Sequence, residues 1–360
     1  MAHYHAVIEP LRQPGEPGAV VAERTNVQAD RGLKSGLDFR SPIVEISVCI
    51  VNWNCRQQLR SCLISLLREF QGVALEVIVV DNGSQDGAPD MVATEFPEAT
   101  LIRNAANRGF SKANNQAARV ASGQHLLFLN NDTRVPPGSL ERLLRYALAH
   151  PEIGLIGPAL RDPHGRVQTS FRRRPTVSTF LFRTSLLRWT PMFRDLYRRF
   201  RSRRERAKSK TQRVEVLMGA AIFLSRELFL ANGGWDEDFV FGGEDLDLCT
   251  RIGQRHPIVY LPSVEIIHHG RLSTRQHIGF ASKHILSGFV KYLRKSGSGF
   301  AAIFIYKVMM TLDAPVQIIS KTLQAAWRLL NGRTEDAKKS LLVCRGQLHF
   351  LGRGLIAFWR

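Results

Sequence analysis

Three segments of this chain follow apolar runs or glycines with acidic and amide side chains, the types that bind nucleotides and metals and accept protons. They are VIVVDNGSQDG (Val77–Gly87), LLFLNNDT (Leu126–Thr133) and GGEDLDLCTR (Gly242–Arg251). The last places two carboxylates, Glu244 and Asp245, ahead of an apolar helical pattern. In this order the segments predict a nucleotide site, a metal site and a general base. This combination points to an enzyme that moves a sugar from a nucleotide.

Asp81 closes the first segment and opens the turn DNGSQDG. The sequence Asp-Asn-Gly strongly favours a turn, so the carboxylate can simply accept a hydrogen bond from the backbone of its own turn. It can equally accept the imide N–H of uracil or thymine. Trp53, at the end of the first predicted strand, presents the same choice between stacking on a base and filling the core. These residues alone leave both interpretations open.

Asn130, Asn131 and Asp132 form the sharper signal, because three acceptor-rich residues after LLFL serve no packing purpose. Mg²⁺ or Mn²⁺ prefers oxygen ligands and shares its coordination sphere with substrate phosphates. Asp132 would supply the anionic ligand and Asn131 a neutral oxygen. The competing interpretation is a helix N-cap, since Asp132 and Thr133 precede a Pro-Pro-Gly start and a helical run.

Glu244 and Asp245 open an amphipathic helix beneath a glycine-rich loop. Acids in a first turn stabilise a helix by about 0.3–1 kcal/mol through its dipole, which is the plain explanation. A helix start under such a loop is also well placed to bring a general base to a sugar hydroxyl. We expect the chemical role.

His268 and His269 end the apolar run IIHHG. Neighbouring side chains of a strand point to opposite faces, so at most one faces a site. A histidine here either completes the metal sphere of Asp132 or is structural, and the sequence favours neither.

Short β-rich runs alternate with amphipathic helices from Ile46 onward. Ile46–Asn52 and Glu76–Asp81 are strand candidates, and Phe110–Ala121 is a helix candidate. This alternation predicts an α/β fold with a mostly parallel sheet flanked by helices. Ligands of such sheets bind beyond the carboxyl ends of the strands, where Asp81 and Asp132 fall.

The formal net charge of +19 over 360 residues predicts a polyanionic partner. The basic insertion 172–213 mixes arginine with aromatics, which suits nucleic acid, an anionic membrane or a solvated insertion equally. Five cysteines without a CxxC pair favour a reducing compartment. Residues 1–42 lack the apolar core of a signal peptide and are expected to be a flexible leader. No uninterrupted apolar stretch of about 18 residues occurs, so no spanning helix is expected.

The series of motifs resembles the family 2 inverting glycosyltransferases of GT-A fold, particularly their bacterial rhamnosyltransferase-like branch. The resemblance covers about Ile46–Ser273. It rests on VCIVNWN, VVDNGSQDG, NRGFSKANNQA, FLNNDT, MGAAIFLSRE, GGWDEDFVFGGEDLDLCTR and HHGRLS. It implies a GT-A domain over 43–278 and a helical, membrane-proximal region over 279–360.

The resemblance also implies a role for each site residue. Asp81 and Trp53 would lie at the pyrimidine, Arg108 near the diphosphate, and Asp132 with His268 at the Mg²⁺ or Mn²⁺ ion. Asp245 would be the general base and Glu244 its neighbour at the acceptor. The donor-binding residues are then Asn52, Trp53, Asp81, Asn107, Arg108, Asn130 and Asn131.

The donor and acceptor follow from the same resemblance. The donor is expected to be a dTDP- or UDP-sugar, with dTDP-rhamnose as the branch suggests, and the acceptor a lipid-linked or cell-surface glycan. The arginine and aromatic residues of 172–213 and the amphipathic C-terminal helices predict peripheral attachment to an anionic membrane at its cytoplasmic face. The helical C-terminal region also leaves room for a homodimer. NNDT has one carboxylate where the Asp-x-Asp motif has two, and the QxxRW element of processive synthases is missing.

Two other classes of protein share some of these features. A basic nucleic-acid-binding protein that uses 172–213 explains the charge but gives NNDT and GGED no purpose. A dinucleotide-dependent oxidoreductase shares the sheet pattern, but no GxGxxG follows the first strand.

Overall fold

The structure, a computed structural model, describes residues 44–67, 72–181, 184–185, 209–270 and 278–360. The predicted leader 1–42 and the centre of the predicted insertion 172–213 lie outside these residues.

The first half of the fold is the predicted alternation of strands and helices. The elements are β1 (Ile46–Asn52), α1 (Arg56–Leu67), β2 (Leu75–Asp81), α2 (Ala88–Glu95), β3 (Thr100–Arg103), α3 (Phe110–Val120) and β4 (His125–Asn130). The four strands pair in parallel in the order β3-β2-β1-β4.

The second half extends the same sheet, but with mixed direction. The elements of this half are β5 (Thr133–Arg134), α4 (Ser139–Ala149), β6 (Leu155–Arg161), β7 (Phe171–Arg172), α5 (Val177–Leu181), β8 (Gln212–Arg213), β9 (Val216–Leu217), β10 (Ala221–Ser225), α6 (Arg226–Ala231), α7 (Glu244–Ile252) and β11 (Ile258–His268). β10 runs antiparallel to both β4 and β6, whereas β11 runs parallel to β6. The sheet has nine strands within the described residues, and β7 and β9 form a separate pair.

Alternation along the strands divides the core between the two faces of the sheet. In β1, Val48 and Ile50 pack with Leu59 of α1 on one face. Cys49 points to the other face, where it packs with Ala113 and Ala117 of α3. The register of the strands then determines which side chains meet at the edge of the sheet that carries the candidate site.

The carboxyl ends of the central strands meet at one edge. Asn52 pairs with Asp81 across β1 and β2, and Val51 pairs with Asn130 across β1 and β4. Three segments that are far apart in the sequence therefore present their polar residues side by side, as predicted.

The C-terminal region is helical, as predicted, and packs around its own apolar cluster, which includes Phe180, Tyr306 and Phe350. Its boundary at 279 remains a prediction. Its elements are α8 (Ile278–Lys295), α9 (Phe300–Leu330), α10 (Thr334–His349), a π-helical turn (Phe350–Gly354) and α11 (Leu355–Trp359).

One helix bears on the expectation that no segment spans a membrane, which remains a prediction. Among the described residues one helix, α9, is long and apolar enough by length and composition to cross a membrane. Lys307 and Asp313 interrupt the apolar run in the sequence, and both side chains are buried.

Candidate active site

A buried hydrogen-bond network joins the ends of β1, β2 and β4. Asn52 donates through Nδ2 to Asp81 Oδ1 at 3.1 Å, and Asn131 donates to Asn52 Oδ1 at 2.7 Å. The backbone N–H of Ser84 donates to Asp81 Oδ2 at 2.8 Å, so the predicted turn bond is present. This bond leaves acceptor capacity on the carboxylate, and the donor roles of these residues remain predictions.

Trp53 lies half-buried just beyond β1. Its ring meets Phe280 of α8 edge-on, with 5.3 Å between ring centroids. The indole therefore packs partly against the C-terminal region. Its predicted stacking on a nucleobase is not tested by this contact.

The loop that carries Arg108 is held by buried amides that sequence analysis missed. Asn82 Oδ1 accepts from the backbone N–H of Arg108 at 3.0 Å, and Asn82 Nδ2 donates to Asn107 Oδ1 at 2.9 Å. Asn104 bonds both Asn82 and Gln116. The Asn107 side chain thus supports the loop. Only the run of Asn and Gln in the sequence could have signalled this network.

Asp132 and His268 meet across the β5–β11 pair, where His268 is in register with Thr133. His268 Nε2 lies 3.3 Å from Asp132 Oδ1, and both side chains are buried. The backbone N–H of His269 donates to the Asp132 carbonyl at 2.9 Å. The N-cap interpretation is wrong, because α4 begins only at Ser139, with Gly138 as its N-cap.

Gln168, which no motif singled out, contacts His268 twice. Its Oε1 lies 2.9 Å from His268 Nδ1, and its Nε2 donates to the His268 carbonyl at 2.7 Å. The two residues are 100 positions apart in the sequence, so only the folded arrangement brings them together.

The donor set fits a divalent metal that completes its sphere with substrate. Within the described part of the chain no group of three or more His, Cys, Asp or Glu residues could hold a metal. One carboxylate and one imidazole do meet at Asp132 and His268. Mg²⁺ and Mn²⁺ commonly bind through one or two carboxylates together with phosphate oxygens and water.

Asp245 lies in the first turn of α7, as predicted, and is buried. Arg172 donates from Nη2 to both of its carboxylate oxygens, at 2.8 and 2.7 Å. Sequence analysis had placed Arg172 only at the start of the basic insertion. The neighbouring acid Asp247 instead forms ion pairs with Arg251 and Lys295.

Glu244 carries a buried oxygen, Oε2, that has no hydrogen-bond partner among the described residues. Burial, together with repulsion from Asp245, raises the pKa of Glu244 to about 8. Glu244 therefore retains its proton near neutral pH.

Two contacts put Asp245 near the edge of the sheet that carries Asn130. A Cβ built on Gly219 would lie 3.6 Å from the Asp245 Cβ. The carbonyl of the next residue, Ala220, accepts from the backbone N–H of Asn130 at 3.0 Å. Asp245 and Asn130 thus lie on either side of one short turn.

This architecture is the GT-A fold of nucleotide-sugar-dependent transferases. It is similar to the crystal structure of GalNAc-T7 with UDP, GalNAc and Mn²⁺, with a TM-score of 0.51 and 17% identity over 71% of this chain and 48% of that chain. At that identity the likeness concerns the fold alone.

Sequence comparison carries the family assignment. Residues 47–230 match Glycosyl transferase family 2. The chain is 31% identical over 221 residues to the N-acetylglucosaminyl-diphospho-decaprenol L-rhamnosyltransferase of Mycobacterium tuberculosis, covering 56% of this chain and 68% of that protein. It is 30% identical to the O-antigen biosynthesis protein RfbC of Myxococcus xanthus, over 60% of this chain and 16% of that protein. The chain belongs to the family 2 glycosyltransferases, in their rhamnosyltransferase-like branch.

Proposed function

We propose that the protein transfers a sugar, with inversion, from a dTDP- or UDP-sugar to a hydroxyl of a lipid-linked or cell-surface glycan. One observation carries the proposal: a buried carboxylate, Asp245, lies one short turn from the polar edge that holds Asp132 and His268. The name of the mycobacterial relative, which specifies rhamnosyl transfer and a decaprenol-linked diphosphate, supports rhamnose as the sugar and a lipid-linked acceptor.

In the proposed reaction Asp245 removes the proton of the acceptor hydroxyl. The oxygen attacks the anomeric carbon as the bond from that carbon to the diphosphate oxygen breaks. A positioned base contributes about 10²–10⁴-fold to the rate. Arg108 would offset the charge that develops on the leaving diphosphate. A Mg²⁺ or Mn²⁺ ion held by Asp132 and His268 would supply further charge stabilisation there.

A donor panel tests this function. The purified protein would be incubated with Mg²⁺ or Mn²⁺, membrane lipid extract and dTDP-, UDP- or GDP-sugars, and the glycolipid product measured by mass spectrometry. We expect transfer from one donor and inverted configuration in the product. Absence of transfer from every donor, combined with salt-sensitive binding to duplex DNA, would instead favour the nucleic-acid alternative.

The C-terminal region supports a membrane-proximal acceptor. The C-terminal half of α9 carries an exposed apolar stripe on one side, defined by Leu312, Ile319, Leu323, Trp327 and Leu330. An exposed apolar surface of this length needs a partner. Residues 279–360 also contain thirteen basic and three acidic residues, which favour an anionic lipid surface.

We therefore infer that α9 lies in the interface of an anionic bilayer, at the cytoplasmic face, with the stripe toward the acyl chains. Its opposite side packs on α10 and holds the buried Lys307 and Asp313, which favours a helix lying on the membrane. This placement would bring the acceptor site to its lipid-linked substrate.

Vesicle flotation tests the placement. The full chain with Leu312→Asn, Ile319→Asn and Leu323→Asn together should bind phosphatidylglycerol vesicles at least ~10-fold more weakly than wild type. Leu148→Asn on α4 is the matched control, because Leu148 is 62% exposed but lies outside the stripe. Equal binding by all three proteins would rule the stripe out.

A further inference from the structure

We infer that Gln168 is a positioning residue that fixes the tautomer of His268, so that Nε2 presents its lone pair beside Asp132. The inference rests on the proposed metal site and adds to it a residue that no motif contains.

The orientation of the Gln168 amide is determined by the backbone. A carbonyl oxygen only accepts hydrogen bonds, so the group that contacts the His268 carbonyl at 2.7 Å must be the amide nitrogen. The amide oxygen is thereby turned toward His268 Nδ1, at 2.9 Å. A flipped amide would bring its oxygen against the His268 carbonyl oxygen, so that two acceptors would face each other.

The amide oxygen in turn determines the protonation of the ring. Because Oε1 only accepts, Nδ1 must carry the hydrogen, and in a neutral imidazole Nε2 then has the lone pair. Nε2 lies 3.3 Å from Asp132 Oδ1, so two electron-pair donors face each other. This arrangement is stabilised by a cation that both can bind, and it is the usual geometry of a metal-ligating histidine with an outer-shell partner.

Gln168 is itself held firmly by the strand beside it. Its backbone N–H donates to the Leu160 carbonyl at 2.7 Å, and two residues further on Ser170 Oγ accepts from the Leu160 N–H at 2.9 Å. The same short segment ends at Arg172, which contacts Asp245. One stretch of chain thus positions both the metal-side histidine and the predicted base.

Mn²⁺ binding tests the inference, with electron paramagnetic resonance of free Mn²⁺ in the presence of UDP or dTDP as the readout. Gln168→Leu removes both contacts, and we expect it to weaken Mn²⁺ binding about 10–100-fold. Gln168→Glu also loses the bond to the His268 carbonyl but keeps an acceptor for Nδ1–H. We expect its affinity within ~5-fold of wild type, or tighter.

The pair of variants separates tautomer control from simple support. Equal weakening in Gln168→Leu and Gln168→Glu would overturn the inference, because only the carbonyl bond is lost from both. Unchanged affinity in Gln168→Leu would overturn it as well. Failure of the wild-type protein to bind Mn²⁺ with nucleotide would contradict the proposed metal site itself.

A measurement on the wild-type protein avoids dependence on the folding of variants. With ¹⁵N-labelled histidine, and His268→Gln to assign its signals, the ring nitrogen shifts report the tautomer. We expect Nδ1–H for His268 without metal. An Nε2–H tautomer would overturn the inference.

Discussion

At the scale of single residues, the contact between Arg172 and Asp245 decides where the predicted base points. A buried carboxylate without a counter-charge is strongly unfavourable, and the guanidinium of Arg172 supplies that counter-charge and holds the orientation of Asp245. Arg172 lies 73 positions away in the sequence. The neighbouring Glu244 has a buried oxygen, Oε2, with no hydrogen-bond partner among the residues that the structure describes.

Arg172→Lys should reduce kcat about 10–100-fold, with donor KM within ~2-fold of wild type, because an ammonium cannot reproduce the guanidinium contact to both oxygens. Steady-state kinetics of sugar transfer measures both constants. Arg173→Lys is the matched control, since Arg173 is exposed beside it. A rise in donor KM without a change in kcat would place Arg172 in donor binding instead.

Glu244 makes the stability of the protein depend on pH. Its pKa is raised from 4.5 to about 8, so between these values the folded protein keeps a proton that the unfolded chain releases. The free energy of unfolding must therefore fall as pH rises through this interval. Glu244→Gln keeps the acceptor oxygen and removes the ionisation.

We expect Glu244→Gln to match wild type at pH 4 and to exceed it by about 1–3 kcal/mol at pH 9. Urea unfolding at pH 4, 7 and 9 measures the difference, with the exposed Glu227→Gln as control. A constant difference between variant and wild type across this range would show that Glu244 ionises normally.

At the scale of elements, α8 is packed directly on the glycine loop that precedes α7. A Cβ on Gly288 would overlap the Gly242 carbonyl oxygen, and one on Gly243 would lie 3.1 Å from the Gly288 carbonyl oxygen. Gly243, at a φ of 101°, is the N-cap of the helix that carries Glu244 and Asp245. The C-terminal region therefore supports the predicted base.

Gly288→Ala should force α8 and this loop apart. Because overpacking against backbone typically costs about 1–3 kcal/mol, we expect a lower melting temperature together with a loss of kcat. Calorimetry and the transfer assay measure the two effects. Gly352→Ala is the control, since a Cβ there meets nothing within 4 Å. Identical behaviour of the two variants would mean that the close approach is unimportant.

The elements that sequence patterns predicted are those with a clear period. β1 and β2 were placed almost to the residue, because continuous apolar runs that end in polar residues are typical of buried parallel strands. The two-residue strands β5 and β7 were not predicted, since they are too short to show a period. Gln168 and Arg172 were missed for a related reason: their partners lie 100 and 73 residues away.

At the scale of the whole molecule, the charge of +19 and the apolar stripe on α9 act together. Electrostatic attraction extends about 10 Å at 0.1 M salt and only about 3 Å at 1 M, whereas burial of apolar side chains is not screened. Binding to phosphatidylglycerol vesicles should therefore weaken strongly, but not vanish, between these salt concentrations. Vesicle flotation at the low and the high salt concentration measures this loss of binding, with phosphatidylcholine vesicles as control. Salt-independent binding would exclude the electrostatic contribution.

The predicted homodimer is a separate prediction, which light scattering of the purified protein tests.

The central claim is that Asp245 is the base of a sugar transfer. The most direct measurement is the single-turnover rate of transfer by Asp245→Asn, with donor in excess of its Kd and the exposed Asp238→Asn as control. The account predicts a rate about 10²–10⁴-fold below wild type, with donor affinity retained. A rate within ~3-fold of wild type would contradict it, because no positioned general base can be removed at so small a loss.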